Sequence, residues 1–400
     1  MRPRPYPAAR VRMKRIAVPA RPDWEDTARR LGFAHHERYW TDDACYLFQR
    51  SAIETLLRPA VDELWHMALE VVERASRDDE VLATIGVPAA AWDGVRQSWR
   101  RGDPSLVTRF DLAFDGAAPP KLHECNGDTP GALYEAAVFQ WLWFEDQMAH
   151  GHLPQGCDQF NRLHDALVEA FGRMPQATPI HFAASARNAE DRVWALYLAD
   201  CARQAGREAA ALDIEAIGID GAGGLTDLED RPIRCLVKAY RWQLLLQEPF
   251  AGALGGPAAP AAIEPLWKLV LASKGALVWL WRMFPGHPNL LPCWFEGEAA
   301  AAPAACAVKP LFSIKGHNVL LRDPALPGGR AETAGPYGAE GRIVQALHYL
   351  PRFDRSCVPV WATVGAWIVG GRPEGIGVLE APAPIIQDHA CRFVPHAVVN

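Results

Sequence analysis

TRFDLAFDGAAPPKLHECNGDTPGALYEA, from Thr108 to Ala136, places two alternating apolar segments on either side of a Gly/Pro-rich turn. Period-two alternation around Asp-Gly and Pro-Pro predicts a β-hairpin. Within it, Arg109, Asp111, Glu124 and Asn126 stand where strands ordinarily carry Val or Leu. With the turn centred between Ala117 and Ala118, the numbers of opposed residues share one sum. Asp111 then faces Glu124, and Arg109 faces Asn126. Residues two apart on a strand share a side, and directly opposed Cβ atoms lie roughly 5 Å apart, so the four form one cluster. Phe110, Leu112 and Phe114 fall on the other face, with His123 and Cys125 opposite them.

Two carboxylates this close repel unless a proton or cation lies between them, and the Asn carbonyl is a further hard oxygen. Mg²⁺ suits such a set, because it takes one or two carboxylates and completes its octahedron with waters and phosphate oxygens. Arg109 suits a phosphate or acyl-phosphate oxygen, whose geometry its planar fork matches. An ion pair between Arg109 and either carboxylate on a solvated sheet face accounts for the pattern equally well. After the hairpin, "GDTP" offers Asp128 or Thr129 as cap for a helix whose N-terminus presents free N–H groups, either to an anion or merely to its cap.

Farther along, "AVKPLFSIKGHNVLL" sets Lys309 at the end of an apolar segment, before a Ser313-to-Asn318 loop containing Lys315 and Gly316. A lysine beneath a glycine-containing hairpin is one way to hold nucleotide phosphates, although GxxxxGK[ST] is absent. An ordinary hairpin with exposed lysines fits too. Lys274 in "ASKGALVWLW" reads as a phosphate ligand or a solvated helix end. Gln345 in "IVQALHYLP" is an amide in an apolar run that needs partners, and a nucleotide is one candidate.

The surroundings are those of a globular protein. Of 400 residues, 50% are hydrophobic and 22% charged, which excludes a disordered or fibrous chain. The net charge of −6 carries no nucleic-acid signature, and no stretch is long enough to span a bilayer. The basic start "MRPRPYPAARVRMKR" lacks a following apolar run, so residues 1–22 are expected to be a flexible arm and 23–400 the folded part. Nine scattered cysteines without a CxxC pair predict reduced thiols and a cytoplasmic protein, with Cys125 as a less favoured nucleophile. Apolar spacing predicts helices over Ser51–Arg77, Leu133–Met148 and "PLWKLVLASKGALVWLWRMF" (Pro265–Phe284). "PIHFAA", "EDRVWALYLADCARQAG", "REAAALDIEAIG" and "RPIRCLVKAYRW" read as strand, helix, strand and strand, an α/β unit. "AGALGGPAAPAA" (Ala251–Ala262) and "EGEAAAAPAACA" (Glu296–Ala307) are expected to be loops.

Taken together, these motifs resemble the synthetase part of the glutathionylspermidine synthase family. The likeness runs from "RYWTDDACYLF" through the hairpin, "PNLLPCWFE" and "KPLFSIKGHNV" to "VGAWIVGGRPEGIGV" and "RFVPH", nearly the whole chain. It implies an α/β (α+β) ATP-grasp fold, with a pre-ATP-grasp-like region and a mobile lid near 309–345. It implies an ATP-dependent carboxylate–amine ligase that proceeds through an acyl phosphate, with a peptide as the acid and a polyamine or amino acid as the amine. ATP and two Mg²⁺ are the implied cofactors. By motif, Asp111, Glu124 and Asn126 are the implied metal ligands. Arg109 steadies the transferring phosphoryl group, Lys274, Lys309, Lys315, Gly316 and Gln345 serve the nucleotide, and Asp128 and Thr129 the substrate. Departures from the family pattern are Leu379 in place of an Arg, Gln243 in place of an acid that Glu190 or Glu248 could replace, and Gly131 in place of a hydroxyl. No amidase segment precedes the synthetase part, so a standalone member is expected. A nucleotide-binding member that does not ligate, and a peptide-tagging enzyme with another acceptor, are the alternative readings.

Overall fold

The computed structural model describes residues 13–33, 36–174, 179–255 and 259–400. Two antiparallel sheets and one parallel sheet build most of it. In the largest sheet, Arg392–Val394, Arg372–Ala381, Val358–Val369, Val107–Ala113 and Lys121–Asn126 lie side by side, with Arg352–Arg355 also pairing Val358–Val369. Cys293–Phe295, Arg342–Ala346, Cys306–Pro310, Leu320–Arg322 and Arg330–Glu332 form the second. The third, Ala261–Ile263, Cys235–Ala239, Ile180–Ala184 and Ala209–Asp213, is parallel throughout. Its strands are connected partly through the Ala189–Gln204 helix, as the strand-helix-strand pattern predicted. Gly206, at φ 76°, ends that helix in the left-handed region where a Cβ is costly.

Part of the expected flexible arm is folded. Residues 1–12 lie outside the described residues, but Met13–Ala17 is a strand paired with Ala44–Gln49, and His396–Val399 joins its other side. Arg15 reaches Glu380 at 2.8 Å, and Arg21, only 6% exposed, pairs with Asp42. Bidentate charge-assisted bonds to buried carboxylates hold what polarity alone assigned to solvent.

Helix periodicity located the scaffold and missed its irregularities. Val61, Leu64, Ala68, Val71 and Val72 of the Arg58–Ala75 helix are all essentially buried. Pro59 in its first turn lacks an N–H, and the preceding turn, Ile53–Leu57, is π-helical. A second π-turn, Glu135–Phe139, leads into Gln140–Ala149. Pro265–Phe284 is not one helix. It breaks at Ser273, whose ψ of 134° is extended and whose hydroxyl donates to the Ile85 carbonyl. The two Gly/Pro/Ala-rich loops each yield their last residues to strands, Ala261–Ile263 and Cys306–Pro310. In both places neighbouring strands supply the hydrogen bonds that composition could not foresee, one strand beside Ala261–Ile263 and two flanking Cys306–Pro310. Among the described residues, no helix is long and apolar enough to cross a membrane.

Candidate active site

The hairpin forms in the expected register at its functional end. Arg109 pairs with Asn126, Phe110 with Cys125, and Asp111 with Glu124. Beyond Asp111 the ladder slips, so Leu112 faces Leu122 and the single sum fails. The slip is a bulge with His123 as the extra residue. Strict alternation put His123 on the apolar face; the bulge re-aims it into the same cleft as Glu124. Burial, then the nearby Lys309 cation and His348, hold its pKa well below the ordinary histidine value. Cys125 stays on the apolar side, absent from the cleft lining, and burial pushes its pKa up to about 12, which disfavours a thiolate nucleophile.

A cleft of about 450 Å³ opens between the two antiparallel sheets and the parallel one, lined by Arg109, Asp111, Glu124, Asn126, Lys274, Lys309, Lys315 and Gln345 among others. In it the cluster is internally neutralised. Arg109 donates from Nε and Nη2 to Asp111 at 2.7 and 3.0 Å, donates from Nη1 to the Gly131 carbonyl, and lies over the Trp367 ring. The Asn126 amide donates to Asp111 Oδ2 at 3.0 Å. Burial disfavours the Arg109 charge, yet Asp111 outweighs this and the net pKa is raised. The ion-pair arrangement left open by the sequence is thus what this state contains.

Lys274 lies at the break in the helix. Its main-chain N donates to Leu311, and its Nζ reaches Glu124 at 2.8 Å and the Ser313 carbonyl at 2.7 Å. Burial alone would raise the Glu124 pKa, but Lys274, with Lys309 and Arg109, holds it below the ordinary value. Lys309, on the Cys306–Pro310 strand, donates to the His123 carbonyl and to Gln345 Oε1, at 2.9 and 2.7 Å. Its ammonium is buried, which draws its pKa down to about 8 despite the pull of Glu124. Gln345 is therefore first a lysine partner, and its amide also donates to the Leu122 carbonyl at 3.2 Å.

Two of the expected residues are engaged by other partners. Asp128 does not cap the following helix, which begins at Leu133, nor does it line the cleft. It is 3% exposed and accepts from the Lys238 ammonium and the Trp242 main-chain N, because the buried lysine requires a counter-charge. Thr129 does line the cleft. Lys315 lines the cleft too and bridges Glu190 and Asp388, each at 2.9 Å. Gly316, at φ 69°, packs its Cα against the Ile386 carbonyl, where a Cβ has no room.

The sequence reading named Glu190 as a replacement acid but passed over its neighbours Asp191 and Asp388. Glu190 and Asp191 occupy the first turn of Ala189–Gln204 behind the Asn188 cap, and Asp388 completes an acidic wall. Burial and Glu190 push Asp191 up to about 6. An Asn followed by two acids at a helix start was the available signal, and it reads as plain capping. Glu248 instead accepts from the Tyr240 hydroxyl, so of the two acids named as replacements for Gln243 only Glu190 faces the cleft. Gly131 has no Cβ, and one built there would lie 3.1 Å from Glu190 Oε1.

The oxygen-only set of Asp111, Glu124 and the Asn126 carbonyl fits Mg²⁺ and no soft metal. Among the described residues no group of three His, Cys, Asp or Glu could hold a metal, so a cation here needs further oxygens from phosphate or water.

The sequence model described as glutathionylspermidine synthase preATP-grasp matches residues 15–399. A Haemophilus influenzae protein assigned as an acid–amine ligase is 31% identical, with 97% of this chain and 100% of that protein covered. The bifunctional glutathionylspermidine synthetase/amidase of Escherichia coli is 27% identical over 80% of this chain, which spans 54% of its length. Among solved structures, a glutathione synthetase-like effector from Globodera pallida in its apo form superimposes with a TM-score of 0.57 at 11% identity, covering 94% of this chain and 96% of that one, a likeness of fold alone. The ATP-grasp-type architecture and the near-complete match agree, and this chain belongs to the glutathionylspermidine synthase preATP-grasp family.

Proposed function

We propose that this protein is an ATP-dependent acid–amine ligase that forms an amide through an acyl phosphate. The observation that carries the reading is one face of one hairpin presenting Arg109, Asp111, Glu124 and Asn126 to Lys274 and Lys309 across a single cleft. Phosphoryl transfer asks a protein for alignment and charge neutralisation, and this set provides both. The similarity over the full length of an assigned acid–amine ligase supports it.

In this reading Asp111, Glu124 and the Asn126 carbonyl hold Mg²⁺, which neutralises charge on the nucleotide phosphates. Lys274 and Lys309 hold phosphate oxygens as point charges, and Arg109 turns its fork from Asp111 to the transferring group. The acid's carboxylate oxygen attacks the γ-phosphorus, and the bond to the β-bridging oxygen breaks, giving ADP. The amine nitrogen then attacks the acyl carbon, loses a proton, and inorganic phosphate departs with the electron pair of the C–O bond. Lys315 offsets only part of the charge of Glu190, Asp191 and Asp388, and the remainder favours a cationic amine, while Gly131 beside Glu190 offers no hydroxyl for a thiol peptide, which points to another peptide or peptide C-terminus as the acid.

Leu379 lines the cleft where a further cation is expected, which favours as second reading a nucleotide-binding protein that does not ligate. Incubating the protein with Mg-ATP and pools of peptides and amines separates the two. Ligation gives ADP only when acid and amine are both present, and a product lighter than its parts by one water. AMP formation would overturn the acyl-phosphate route; nucleotide binding without turnover in any pool would favour the second reading.

A further inference from the structure

The Ser313–Asn318 loop belongs to the Cys306–Pro310 to Leu320–Arg322 hairpin, yet two of its ion pairs reach elements outside that sheet. Lys315 Nζ meets Glu190 on the Ala189–Gln204 helix and Asp388 in the segment between Arg372–Ala381 and Arg392–Val394. Gly316 rests on Ile386 in the same segment. Lys315 (φ 55°), Gly316 (φ 69°) and Asn318 (φ 54°) all lie in the left-handed region, which costs free energy for Lys and Asn. That cost is borne in part by contacts within the loop's own sheet. The Thr333 hydroxyl donates to the Gly316 carbonyl at 2.6 Å, and Asn318 Oδ1 accepts from the Tyr337 N at 2.8 Å. Lys274, the proposed phosphate ligand, holds the start of the loop through the Ser313 carbonyl.

We propose that Lys315 is a positioning residue, a latch that closes the Ser313–Asn318 loop over the nucleotide by spanning Glu190 and Asp388, and not itself a phosphate ligand. The proposal rests on the nucleotide-binding reading above. Electrostatics supports it in two ways. Glu190, Asp191 and Asp388 stand together, and turning Lys315 to a phosphate would leave these carboxylates unneutralised beside an anionic ligand. The three side chains of the latch are also 31–45% exposed, so each pair is weak and screened by salt. Such contacts suit a closure that must open in every turnover.

The test is stopped-flow release of a fluorescent N-methylanthraniloyl-ADP from wild type, Lys315→Met, Lys315→Arg, the Glu190→Gln/Asp388→Asn double variant and the triple variant. A latch predicts that Lys315→Met and the double variant each speed release about tenfold, as contact losses act mainly on koff. The triple variant then adds little, because the three side chains form one unit. Lys315→Arg, which keeps charge and reach, restores slow release, and raising salt speeds release more in wild type and Lys315→Arg than in the variants that lack the latch. If Lys315→Met speeds release while the double variant leaves it unchanged or slows it, Lys315 is a phosphate ligand and the latch is overturned. If wild type binds no nucleotide, the functional reading fails separately. Hydrogen exchange then decides the latch: unchanged exchange at Ser313–Asn318 and Pro384–Cys391 in Lys315→Met overturns it.

Discussion

Lys274 Nζ lies 2.8 Å from Glu124 Oε1, so a proposed phosphate ligand and a proposed metal ligand neutralise each other in this state. On the proposed reading, a metal–nucleotide complex would exchange these partners, the lysine for a phosphate and the carboxylate for the cation. Lys274→Met should therefore leave Glu124 with a burial penalty and less opposing charge, raising its pKa. Mg-ATP turnover should fall by at least about a hundredfold in Lys274→Met and in Glu124→Ala, with thermal unfolding showing a folded chain. Near-normal turnover in both would remove the pair from the machinery.

Arg109 holds Asp111 bidentately and lies over Trp367, a geometry that lysine cannot copy. Arg109→Lys should lower kcat by about a hundredfold while changing the KM for ATP little, because the fork acts on the transferring group. A change confined to KM would instead mark Arg109 as a simple nucleotide contact.

Asp128 is predicted to matter for folding and not for substrate. Asp128→Asn strands the fully buried Lys238 without a counter-charge, and loss of one member of such a pair costs about 3–5 kcal/mol. Chemical denaturation should show that loss, while the KM values of the folded fraction stay put. A KM shift at unchanged stability would restore the substrate role that the family resemblance implied for Asp128.

His396 provides a pH test. It is buried, with Nδ1 at 3.0 Å from Gln140 Oε1 and Nε2 accepting from the Phe160 N, and burial lowers its pKa from 6.5 to about 3. The folded-state pKa is depressed, so below pH 6.5 the unfolded chain binds a proton that the folded chain refuses. Stability from this group is full above 6.5 and declines as pH falls toward about 3, by up to about 1.4 kcal/mol per pH unit. His396→Gln should flatten the acid limb of stability against pH. An identical acid limb in the variant would show that other groups set it.

Much of the fold and half of the site are governed by local rules, and these were legible in the chain. Alternation put Arg109, Asp111, Glu124 and Asn126 on one face, and the expected pairs form beyond the bulge, although next to the turn Leu112 pairs with Leu122. The strand and helix patterns from Ile180 to Ala239 likewise produced their parallel sheet. What needed long-range partners was out of reach. The bulge that brings His123 into the cleft, the break that delivers Lys274, and the burial of Asp128 against Lys238 depend on segments 100 or more residues apart in two of the three cases. Arg15 illustrates the same limit: its charge looked like solvent exposure until Glu380, 365 residues away, was placed beside it. Lys315 and Glu190 are the sharpest case. The sequence supplied a lysine for phosphate and an acid at a helix start, and only the packing of the loop across the cleft set them 2.9 Å apart. Hydrophobic periodicity and turn chemistry act within a few residues, so sequence determined the elements and the hairpin's polar face. Charges choose partners by distance in space, and the tertiary structure alone decided which of them meet.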